Sequence, residues 1–179
     1  MKEILLSILC LSLALPLSAQ DQSQEQMIQE MASAARGIRT VRCNFKQTKH
    51  MKMLRDGQVS EGRMFCQQPD KLLWEYLSPR QETISTDAEA WKGAMARMIM
   101  KLVAGQALTD SKAFQVTVKQ LPGKYEATLI PLRKDLKRLY TKLVLHYDLG
   151  QATVTQVEMF EKTGDHTLIE LFDIRINEG

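Results

Sequence analysis

The residues that could do chemistry are few. His50, His146 and His166 fall on a strand end, a strand and a turn, at separations that match no metal-ligand spacing. Cys43 and Cys66 form no Cys-x-x-Cys pair and have no histidine cluster beside them in sequence. The chain contains no Gly-x-Ser-x-Gly, no His-Glu-x-x-His and no phosphate-binding glycine loop. Carboxylates such as Glu61, Glu75 and Glu126 read as solvated strand faces. Catalysis is therefore not expected, and neither a metal nor a cofactor is implied.

Burial of an apolar ligand has more support. In the run from Gln68 to Pro79, Trp74 and Tyr76 alternate with Glu75 between two prolines, the pattern of a strand with one apolar face. Phe45, Phe65, Trp74 and Tyr76 either fill the core or line a cavity. Trp91, Met95, Met98, Ile99 and Leu102 recur on one face of a helix predicted over 91–103, and methionine suits irregular apolar partners. That helix interrupts a strand-rich chain, so it is read either as core or as a movable lid.

The elements that must position these residues follow from periodicity. Residues 22–37 form an amphipathic helix through Ile28, Met31, Ala35 and Ile38, with Gly37 as its stop. Val41, Cys43 and Phe45 alternate in a first strand that continues towards Met51 and Met53. Asp56-Gly57 marks the hairpin turn into a strand over 59–67. Further strands are expected at 72–77, 81–86, 114–119, 124–130, 143–147, 154–161 and 167–176, joined by short turns. About nine strands in a meander curl into a barrel or half-barrel. With that hairpin, Cys43 faces a residue between 68 and 70, so Cys66 is offset by two to four positions. Two buried thiols are favoured over a bridge.

The first 19 residues read as a secretory signal: Lys2, an apolar stretch from Ile4 to Leu17, then Ser18-Ala19. Cleavage is expected between Ala19 and Gln20, leaving residues 20–179 as a single exported, soluble domain. Cys10 follows Leu9 rather than a small residue, so no lipid attachment is expected there. The net charge of +3 is too mild to imply nucleic acid. One basic cluster stands out, Arg133-Lys134-Asp135-Leu136-Lys137-Arg138. It reads as a solvated face or as a docking patch for an anionic membrane or an acidic partner.

The segment Pro69 to Pro79, with Trp74 and Tyr76, resembles the corresponding region of the LolA family of periplasmic lipoprotein carriers. So do Asn44-Phe45-Lys46-Gln47, the run Glu61 to Phe65, and the Gly164-Asp165-His166-Thr167 turn into a last strand ending Ile174-Arg175-Ile176-Asn177. The variant most resembles divergent carriers of Bacteroidetes-type bacteria. The resemblance implies an unclosed antiparallel half-barrel with an N-terminal helix and a helical lid. It implies a cofactor-free monomer that shields acyl chains, taking cargo from an inner-membrane ABC-type exporter to an outer-membrane acceptor. Phe45, Phe65, Leu72, Trp74 and Tyr76 would line the cavity, and Leu72 and Trp74 match its concave face. Gln68 stands where the family commonly has a lid-latching Arg, and Asp87 to Trp91 departs from the family's Asp-Gly and Trp-x-Tyr pattern. Lipoprotein, free lipid and glycolipid remain open as cargo. A sensor or adaptor of the same fold, a secreted lipid enzyme and a filled structural β-domain are the alternatives.

Overall fold

The computed structural model describes residues 18–54, 56–87 and 90–178, with side chains described from Ser23 onward except at 90–95. Most of the expected leader, residues 1–17, lies outside them. Nine strands form one antiparallel sheet: β1 (Thr40–His50), β2 (Gln58–Gln67), β3 (Lys71–Ser78), β4 (Glu82–Ser85), β5 (Phe114–Leu121), β6 (Lys124–Pro131), β7 (Tyr140–Asp148), β8 (Thr153–Glu161) and β9 (His166–Ile176). Their order is β4-β3-β2-β1-β9-β8-β7-β6-β5. The first and last strands meet at the centre, and the edges β4 and β5 do not pair, so the sheet is an open half-barrel.

Helices α1 (Ser18–Arg36) and α2 (Ala90–Val103) pack on its inner face, and α3 (Lys134–Leu139) bridges β6 and β7. The alternation of each strand decides what faces inward. Val41, Cys43 and Phe45 of β1, Met64 and Cys66 of β2, Leu72 and Trp74 of β3, and Leu143 and Leu145 of β7 all join one buried core. Helix α1 contributes Met31 to that core. Its Gln24 side chain accepts from the edge-strand amide of Val118 at 3.2 Å, and Glu30 accepts from the Tyr125 hydroxyl at 2.8 Å. Gly105, at φ 69°, takes the left-handed turn that ends the α2 segment.

Three expectations are corrected. Helix α1 begins at Ser18 rather than 22, so its first two residues belong to the segment read as leader. The first hairpin does not turn tightly at Asp56-Gly57, because β1 stops at His50 and β2 starts at Gln58. Met53 is accordingly almost fully exposed. The register therefore places Cys43 opposite Met64 and Cys66 opposite Val41. The two cysteines are buried two positions apart on the same face, both as free thiols.

The last residues fix the first strand. Asn177 Oδ1 accepts from the amides of Arg39 at 2.7 Å and Thr40 at 3.2 Å, while Nδ2 donates to the Gly37 carbonyl at 2.9 Å. One side chain thus supplies partners to the α1–β1 junction, where the backbone has left the helix and not yet fully entered the sheet.

Candidate functional site

The aromatic residues singled out in the sequence come together, with one exception. Phe45 and Trp74 are both fully buried and stacked, with ring centroids 3.9 Å apart, and Tyr76 meets Phe45 edge-on at 5.3 Å. The Tyr76 hydroxyl donates to Gln47 Oε1 at 3.0 Å. Leu72 is buried on the same face. Phe65 is the exception. It pairs with Arg42 and Leu73 in register, which puts it on the outer face, where the Arg42 guanidinium sits 4.7 Å from its ring centroid. The polar outer groove beside it is lined by Arg42, Asn44, Arg63, Leu73 and Glu75.

Helix α2 lies over this aromatic floor. Ile99 and Leu102 are buried, and with Trp74, Val157, Met159 and Ile169 they enclose a void of only about 10 Å³. The concave face is thus closed beneath the described part of the helix. The side chains of Trp91 and Met95 lie outside the described residues. The Trp74 indole Nε1 is buried with no hydrogen-bond partner among the described residues, an arrangement that costs about 1–3 kcal/mol.

Among the described residues, two polar tethers hold the helix and the turn that follows it. Arg97 donates to the Thr86 carbonyl at 3.2 Å, just past β4. Gln68, in the position of the expected latch, accepts from the Gln106 side chain at 2.8 Å, immediately after α2. Gln68 therefore does reach the lid region, through a side-chain amide rather than a lid carbonyl.

Open space lies on the other flank of α2. A pocket of about 620 Å³ runs between α2, residues 107–114 and α3. Met98, Leu102, Ala113, Phe114, Leu136 and Leu139 make it apolar, and Arg97, Lys101 and Arg133 stand at its rim. Its volume is within the range of about 300–1,000 Å³ common for small-molecule sites. Asp135 at the rim is bound by Arg133, Nη2 to Oδ2 at 2.6 Å, and that bond and charge hold its carboxyl below the usual value. Sequence reading found Met98 and Leu102 of this pocket and the basic cluster beside it, but not that the two are neighbours.

The family model for the outer membrane lipoprotein carrier protein LolA matches residues 36–92, from the end of α1 through β4 into α2. Over this segment the chain is similar to the LolA carriers. An outer-membrane lipoprotein carrier protein of Pseudomonas fluorescens (strain Pf0-1) is 24% identical over 137 residues, covering 68% of this chain and 65% of the carrier. Among solved structures, MucB matches with a TM-score of 0.51 at 9% identity, over 88% of this chain and 60% of MucB. A LolA superfamily protein from Nitrosomonas europaea matches with a TM-score of 0.46 at 10% identity, over 85% of this chain and 94% of the other. The likeness to MucB is one of fold. The chain spans just under two thirds of the length of the Pseudomonas carrier. The open LolA-like sheet and its overlying helices agree with the architecture expected from the resemblance.

The cysteines contribute no reactive group. Burial raises the Cys43 thiol to about 12, with the neighbouring Cys66 adding to the shift, and burial raises Cys66 to about 11. Both are neutral thiols at physiological pH. Among the described residues, no cluster of three or more histidine, cysteine or acidic side chains could hold a metal ion.

Proposed function

We propose that this LolA-like protein is an exported, periplasmic carrier that shields acyl chains of a lipidated cargo and delivers them towards the outer membrane. The observation that carries this reading is the apolar pocket of about 620 Å³ beside α2, with Arg97 and Lys101 in its lining and its Asp135 paired to Arg133. An acyl chain gains roughly 0.8 kcal/mol per buried CH₂, and a rim of Arg97 and Lys101 suits an anionic headgroup. The exporter and the outer-membrane acceptor belong to this proposal, as does the absence of enzymatic activity.

The test is binding of a fluorescent palmitate analogue. Met98 is half-buried on the pocket wall, so Met98→Trp should fill the space and weaken probe affinity at least tenfold, with little change in stability. Unchanged affinity would remove the pocket from the proposal. A parent protein that binds no acyl probe and carries no lipid from its native envelope would sink the carrier reading. A second reading is an adaptor of the same fold that senses lipid through the same pocket and binds a partner protein. Co-purification of a lipoprotein with the native protein selects the carrier.

A further inference from the structure

The segment 132–139 combines two features that ordinary solvated loops do not share. Lys134, Lys137 and Arg138 are exposed and make no ion pair among the described residues, whereas Arg133 is taken up by Asp135. Leu132 and Leu139 flank these cations and are 40% and 57% exposed. Leu136 is half-buried on the wall of the apolar pocket, and Leu139 reaches both the pocket and the solvent. The opposite lip, on α2, carries Arg97 and Lys101. Of the acids at the mouth, Asp135 is held by Arg133 and Asp110 accepts from the Ala113 amide. Asp110 keeps its charge, but Arg97, Lys101, Lys134, Lys137 and Arg138 outnumber it, so the mouth is net positive, with exposed leucine on one lip.

We infer that residues 132–139 are a docking surface for an anionic lipid bilayer, placed so that the mouth of the apolar pocket opens onto the membrane. Lipid phosphates would meet Lys134, Lys137 and Arg138, and the acyl boundary would receive Leu132 and Leu139. A highly acidic chain segment would satisfy the cations but offers the two leucines less apolar cover than the acyl boundary does. The pocket adds direction: a chain leaving the bilayer between these lips would pass from one apolar environment to another without crossing water. This use of the pocket rests on the carrier reading. The docking itself does not, since it needs no cargo.

The experiment is co-sedimentation of the purified protein with vesicles of phosphatidylcholine alone and of phosphatidylcholine with phosphatidylglycerol. Binding is expected to the anionic vesicles only and to fall steeply with added salt. Combining Lys134→Gln, Lys137→Gln and Arg138→Gln should lower partitioning about a hundredfold. Combining Leu132→Ser with Leu139→Ser should weaken binding while leaving it salt-sensitive. All five positions are exposed, so unchanged thermal midpoints are expected and would separate docking from folding. Equal binding to both vesicle types would overturn the inference, as would full binding by the triple variant. So would binding to soluble polyglutamate without binding to anionic vesicles, which would mark an acidic protein as the occupant. A protein that takes up the palmitate probe but ignores vesicles loses only the docking surface. One that docks but takes up no probe loses only the carrier reading.

Discussion

Gly62 shows how a single residue sets the aromatic floor. It lies opposite Phe45 on one side and Tyr76 on the other. A Cβ there would stand 2.0 Å from the Glu75 carbonyl oxygen and 2.6 Å from Phe45 Cζ. The backbone oxygen cannot swing aside as a flexible side chain would, and the ring is pinned by its stack on Trp74. Overpacking typically costs roughly 1–3 kcal/mol, and Gly62→Ala should lie at about the top of that range. Urea denaturation measures it, and a loss below about 1 kcal/mol would show that the floor can shift. The thiols give a second prediction at this scale. Cys43 and Cys66 sit diagonally on one buried face, neutral and unbridged. Unreduced native protein prepared without residues 1–19, and hence without Cys10, should resist iodoacetamide and take two alkyl groups once unfolded in denaturant, read by intact mass. A protein that takes none after unfolding would contain the bridge.

The pairing of β1 with β9 brings together residues far apart in sequence. All three histidines converge on the outer face. Glu158 Oε1 is 2.7 Å from His146 Nε2, its Oε2 is 3.0 Å from His166 Nε2, and the His50 and His166 rings stack at 5.8 Å. Burial raises the Glu158 pKa, but the bonds and charges of His146 and His166 outweigh it and leave the group below its ordinary 4.5. The unfolded chain therefore binds this proton more readily than the folded one. Its contribution to stability is complete above about pH 4.5 and is lost as pH falls through the lower folded value. Glu158→Gln should lower stability at neutral pH and flatten the acid limb below pH 4.5, followed by urea midpoints across pH. An acid limb as steep as the parent's would assign that loss to other carboxylates. Sequence could not foresee this cluster, because the separation of His50 from His166 says nothing until the first and last strands are known to pair. The alternation of Trp74, Glu75 and Tyr76 was legible because polar and apolar residues strictly take turns. An inward reading of Phe65 rests on its aromatic type alone, although Glu61, Arg63 and Gln67 at period two from it are polar and mark its face as the outer one. The turn after β1 misled for another reason: Met51 and Met53 continue the strand pattern, but the strand ends where its pairing with β9 ends, at His50.

On the scale of the whole molecule, the sheet and its lid are held by different kinds of interaction. β1 and β9 lie at the centre of the order, each hydrogen-bonded on both sides, so exposing them requires the sheet to come apart. α2 has one buried face, through Ala96, Ile99, Leu102 and Val103, and two side-chain tethers at exposed sites, Arg97 to Thr86 and Gln106 to Gln68. Exposed hydrogen bonds of this kind contribute about 0.5–1.5 kcal/mol each. The inner face has almost no free volume beneath the described part of this helix, whereas the pocket on its far flank is open. On the proposed carrier reading, cargo deeper than the pocket requires α2 to rise from Trp74 while the central strands stay paired. That is a sub-global opening, and it should lie well below the free energy of global unfolding. Native-state hydrogen exchange separates the two. Amides of 96–103 should exchange by an opening insensitive to low denaturant, and those of β1 and β9 only by global unfolding. Gln106→Ala should speed exchange in α2 by about threefold to tenfold and leave β1 and β9 nearly unchanged. Exchange of α2 in step with the central strands would mean that helix and sheet open as one unit, and the pocket beside α2 would then have to hold the whole acyl chain.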